Sequence, residues 1–98
     1  MIKVILPYHL QQLAGSAQMV ELRLEGEATL SDALDELETR YPNLKGTIRD
    51  IQTHKRRDFI RFFACGRDIS LEDPANPLPR EVALGQEVLR IVGAMAGG

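Results

Sequence analysis

The chain has 98 residues, 44% of them hydrophobic and 27% charged, with a formal net charge of −2. That length supports one hydrophobic core, because two would each fall below the size at which apolar burial holds a fold together. The charge balance excludes a strongly basic nucleic-acid binder or membrane-surface protein, and a single cysteine leaves no internal disulfide.

No stretch reaches transmembrane length, and "MIKVILPYH" is too short an apolar run for a secretory leader, so a cytoplasmic protein is expected. Ile2, Lys3, Val4, Ile5 and Leu6 form a β-branched run closed by Pro7, which predicts an opening strand. Leu10 and Leu13 followed by Gly15 predict a helical turn or a loop. Val20, Leu22 and Leu24 then alternate with Glu21, Arg23 and Glu25, the period of a half-buried strand antiparallel to the first.

Leu30, Ala33, Leu34, Leu37 and Tyr41 recur at helical spacing, while Asp32, Asp35, Glu36 and Glu38 fall elsewhere on the wheel. Thr29 is the expected N-cap, with Asp32 completing a capping box, and Pro42 closes the helix at Tyr41. A second, shorter helical turn is expected through Leu44, Ile48 and Ile51. "THKRRD" reads as a polar connector, and Lys55, Arg56 and Arg57, with Arg49 nearby, are expected in a solvated loop.

"FIRFFACG" is β-prone, and "CGRDIS" reads as a tight turn into a short returning strand. Ile60, Phe62 and Ala64 are assigned to the core, which leaves Phe59 and Phe63 on the open sheet face as candidate partner contacts. Strand ends and loops covering the two phenylalanines remain the alternative. Pro74, Pro77, Pro79 and Gly85 make the next segment mostly loop, and "VLRIV" at 88–92 is the last strand. The order of elements is an α+β β-grasp, a mixed sheet packed on one main helix. Residues 1–98 read as a single domain, with 93–98 as an extended C-terminal tail.

Four segments carry a family likeness: "LAGS" at 13–16, "EATLSDALDELETRYPNL" at 27–44, "FIRFFACGRDI" at 59–69 and "LGQEVLRIVGAMAGG" at 84–98. In that order they span nearly the whole chain, which resembles the ubiquitin-like sulfur carriers. These are the small subunit of molybdopterin synthase (MoaD type) and the thiamine sulfur carrier (ThiS type). Two positions depart from the pattern. Gly93 and Ala94 stand where the family has one or two prolines, and Cys65 stands where it often has asparagine. The first departure is expected to loosen the direction in which the tail leaves the domain.

The resemblance implies that the reacting group is the α-carboxylate of Gly98. A ubiquitin-activating-type enzyme would adenylate it with ATP, and a persulfide sulfur would displace AMP to give a thiocarboxylate. Gly97, Ala96, Met95 and Ala94 would thread a partner's active site, the glycines because they lack a Cβ, and Met95 as an apolar anchor. A larger synthase subunit would receive the tail, so a hetero-oligomer is expected, with no cofactor held by the chain and no catalysis by it alone. The acceptor the resemblance favours is molybdopterin. Thiamine thiazole, cysteine biosynthesis and tRNA thiolation are alternatives, as are conjugation of Gly98 to protein lysines and a non-reactive binding module. Cys65 is expected to be a buried small hydrophobe, and His9 and His54 have no ligand-spaced partners that would imply a metal.

Overall fold

β1 (Ile2–Ile5) buries Ile2 and Val4 and turns Lys3 and Ile5 to the other face. The computed structural model describes residues 1–93. Pro7 opens α1 (Tyr8–Ala14), its carbonyl accepting from the N–H groups of Leu10 and Gln11 at 3.0 Å each. Gly15, at φ 68°, stops this helix in the left-handed conformation. β2 (Met19–Leu22) runs antiparallel to β1, with Val4 opposite Val20 and Ile2 opposite Leu22. The expected strand ran on to Glu25, but the ladder with β1 stops at the Ile2–Leu22 pair, and β2 ends there.

α2 (Leu30–Arg40) starts at the expected capping box. Asp32 N donates to Thr29 Oγ1 and Thr29 N to Asp32 Oδ2, both at 3.0 Å. Its apolar stripe, Leu30, Ala33, Leu34 and Leu37, is buried. A 3-10 turn (Pro42–Leu44) follows, and Leu44 and Ile48 are buried, but Ile51 is 63% exposed. The expected second helical turn through Ile51 is therefore absent. The Asp50 carboxylate accepts from the backbone N–H groups of Gln52 and Thr53 at 2.9 Å, a local turn that competes with helix. An antiparallel bridge between Arg49 and Arg56 closes the loop.

Arg49 does not lie in a solvated loop. It is 4% exposed, and its Nε donates to Glu38 Oε2 at 2.9 Å while Nη2 pairs with Glu38 and Asp35. Its neighbours in the basic run behave differently: Lys55 and Arg57 are exposed, and Arg56 is half-buried with Nη1 donating to the Ile60 carbonyl at 2.7 Å.

β3 (Ile60–Ala64) and β4 (Arg67–Asp68) form a hairpin through Cys65 and Gly66, at φ 53° and 75°. Two successive left-handed residues are what a tight primed turn demands, and they place Cys65 in solvent rather than in the core. The segment expected to be loop contains α3 (Arg80–Ala83), led by Pro79, with Val82 fully buried. β5 (Leu89–Gly93) completes a five-stranded sheet in the order β2-β1-β5-β3-β4. β5 is parallel to β1 and antiparallel to β3. Gly93, assigned from sequence to the tail, is the last residue of that strand and pairs with Ile60.

The core lies between α2 and one sheet face. Ile2, Val4, Val20, Leu22, Ile60, Phe62, Ala64, Leu89 and Ile91 point into it, and the helical leucines close it from the other side. This mixed sheet packed against a main helix is the β-grasp, ubiquitin-like fold.

Candidate functional site

The site is organised around β5, which alternates strictly: Leu89 and Ile91 are buried, whereas Arg90 and Val92 face outward. Because β5 sits between β1 and β3, those outward positions fall in the middle of the open sheet face. The register sets Met19, Ile5, Arg90, Phe63 and Asp68 in one row across the sheet, with Val92 beside Arg61 in the next. Apolar side chains and arginines thus share a face that no helix among the described residues covers. An aromatic, a methionine and arginines among aliphatics is a composition favoured in protein contacts.

The row is polar at its outer edge. Arg61 Nη1 lies 3.4 Å from Asp68 Oδ2, and Asp68 Oδ1 accepts from the Ser70 N–H at 2.9 Å. Hydrogen bonding from Ser70 holds the Asp68 carboxyl below the usual carboxylate range, with the charges of Arg61 and Arg56 acting the same way. Asp68 is accordingly a fixed negative charge at neutral pH.

Phe63 stands in the row, half-buried between Arg90 and Asp68. Phe59 lies one residue before the start of β3, beside the Ile60–Gly93 pair, and is 61% exposed. Phe59 therefore lies near the Gly93 end of β5, whereas Phe63 lies opposite Arg90, near its start. Ala94, Met95, Ala96, Gly97 and Gly98, the candidate tail and reactive residues, lie outside the described residues.

One neighbour of Gly93 was not anticipated. The His9 ring packs against Gly93 so closely that a Cβ built there would lie 2.4 Å from His9 Cε1. His9 stands near the start of α1, and Pro7, Tyr8, Gln11 and Val92 line a shallow cleft around the same strand end. Nothing in the sequence pairs His9 with a residue more than eighty positions away; only the parallel β1–β5 contact does.

Cys65 is exposed, but partial desolvation and the negative charges of Glu81 and Glu87 push its thiol pKa up. A neutral thiol at physiological pH is a poor nucleophile. Among the described residues no cluster of three His, Cys, Asp or Glu is arranged to hold a metal, and no helix is long and apolar enough to cross a membrane.

No family model matches the chain, and no curated protein matches it either. Solved structures do. SAMP1 from Haloferax volcanii superposes with a TM-score of 0.77 at 24% identity, over 99% of this chain and 98% of its own. The small archaeal modifier protein 1 from Methanosarcina acetivorans gives 0.71 at 26% identity, over 99% and 95%. The Amycolatopsis orientalis BexX/CysO complex gives 0.76 at 22% identity, over the full length of both chains. The structural neighbours thus include two small archaeal modifier proteins and a CysO complex, and they share the β-grasp architecture of this chain.

Proposed function

With the chain built as a ubiquitin-like β-grasp domain, we propose that it is a sulfur carrier acting through the α-carboxylate of Gly98. The carboxylate attacks the α-phosphorus of ATP on a ubiquitin-activating-type enzyme, releasing pyrophosphate. A persulfide sulfur then displaces AMP, and a thiol releases the thiocarboxylate. The observation that carries this reading is that the central strand β5 ends at Gly93, at the edge of the open sheet face, ahead of the sequence Ala-Met-Ala-Gly-Gly. Likeness to sulfur carriers over nearly the full chain supports it.

In the finer form of the proposal the acceptor is the pyranopterin precursor of molybdopterin, held by a larger synthase subunit in the cytoplasm. The open face would dock on that subunit through Phe63 and Phe59, and Ala94, Met95, Ala96 and Gly97 would thread its active site. The modifier proteins among the neighbours favour a second reading, in which Gly98 forms isopeptide bonds with lysines of other proteins.

Intact mass spectrometry separates the two. Charging with the activating enzyme, ATP and a persulfide donor should raise the mass by about 16 Da, sulfur for oxygen. Higher-mass conjugates without that species would support the modifier. One residue appended after Gly98 should abolish both, and full charging of such an extended chain would refute the proposal.

A further inference from the structure

We propose that His9 is a positioning residue which fixes the direction in which the chain leaves β5 at Gly93. Its importance to charging rests on the carrier reading above; the contact itself does not.

Gly93 continues the inward alternation of Leu89 and Ile91, so a side chain at this position would point to the side of the sheet where α1 lies. The His9 imidazole already fills that space. A Cβ on Gly93 would meet Cε1 at 2.4 Å, Nε2 at 3.1 Å and Nδ1 at 3.6 Å, and real Cβ contacts essentially never fall under 3.0 Å. The residue is thus glycine because of its neighbour, and the Cε1 edge of the ring can approach the strand because the residue is glycine.

The ring is carried on an anchored base. Leu10 beside it is 1% exposed, Pro7 accepts two backbone hydrogen bonds from the first turn of α1, and Gln11 Nε2 donates to the Leu6 carbonyl at 2.9 Å. Glycine at a strand end would otherwise be free to depart at many φ values. Here Ile60 holds Gly93 from the sheet side and His9 closes the helix side. The restriction proline would impose through its own ring is imposed from outside by an imidazole.

The test uses the full-length chain with His9→Ala, His9→Phe, Gly93→Ala and the His9→Ala/Gly93→Ala double variant. In His9→Ala the 15N order parameter of Gly93 should fall from the rigid-backbone range toward about 0.6, and His9→Phe should keep it high. Gly93→Ala should lower Tm by several degrees, and adding His9→Ala should restore most of that loss, a non-additive pair. In charging assays His9→Ala should raise KM for the activating enzyme roughly 5-fold with kcat little changed, because ordering of the exit is then left to the encounter. Phenylalanine should restore KM.

Wild-type Gly93 order in His9→Ala, or additive Tm losses in the double variant, would overturn the proposal. So would an unchanged KM in a chain that is charged. If the wild-type chain accepts no sulfur, the carrier reading fails, and the relaxation and Tm results alone decide the role of His9.

Discussion

Arg49 is a charge held among aliphatic side chains, and its partners explain why it stays charged. Burial acts to lower its pKa, but hydrogen bonds to Glu38 and Asp35 and the two negative charges outweigh this, and the net shift is upward. Glu38 is itself only 9% exposed, so removing the guanidinium strands a carboxylate in a low-dielectric site. Arg49→Met should therefore destabilise the fold by about 3 kcal/mol in urea unfolding. Glu38→Gln added to it should recover part of that loss, because the stranded charge is then gone. A cost below about 0.5 kcal/mol would show the pair to be as weak as an ordinary surface bridge. The same triad ties α2 to the loop after the 3-10 turn, so one side chain replaces the helical turn that the sequence pattern led one to expect.

At the scale of the element, β3 divides its work between two faces. Ile60, Phe62 and Ala64 are 4%, 2% and 1% exposed, while Phe63 looks out between Arg90 and Asp68. Truncating an outward aromatic costs a sheet roughly 1 kcal/mol, but a buried aromatic anchor in an interface carries 2 kcal/mol or more. If the open face docks as proposed, Phe63→Ala should weaken binding to the proposed larger synthase subunit at least about 10-fold in calorimetry, with the far-UV circular dichroism unchanged. Phe59→Ala should weaken it without a stability cost, since this ring stands 61% exposed outside the strand. Wild-type affinity in both variants would remove the open face from the interface. α3 makes the opposite point: a four-residue helix among prolines has no legible period, and it exists because Pro79 starts it and Val82 has a core to enter.

For the whole molecule, the parallel pairing of β1 and β5 brings the first strand beside the last and makes the exit at Gly93 part of the sheet. Motion at the exit is thereby coupled to the most buried strands rather than to a loop. Stability should also depend on acid conditions in a definite sense. Asp50 is held below the usual carboxylate range by the N–H groups of Thr53 and Gln52, and Asp68 by Ser70. For both groups the folded pKa lies below the unfolded one, so the unfolded chain binds more protons in that window. Their contribution is present at neutral pH and is lost as pH falls through the depressed folded values. Asp50→Asn should flatten the acid limb of a Tm-against-pH curve, and an unchanged limb would assign the acid sensitivity to other groups.

Local chemistry is what the residues themselves determined. A β-branched run marked β1 and an aromatic, β-prone one marked β3, Thr29 with Asp32 marked the start of α2, and the Cys-Gly pair marked the hairpin, because each signal acts over a few neighbouring positions. The likeness of ordered segments pointed to the β-grasp and to the chemistry proposed for Gly98. Tertiary structure alone decided what depends on distant partners. Leu24 packs against the core from outside the ladder, Arg49 goes inside because Glu38 and Asp35 meet it there, and Cys65 faces solvent because the turn needs two left-handed residues. His9 and Gly93 are the extreme case, since steric exclusion between a ring and a missing Cβ exists only once the first and last strands lie side by side.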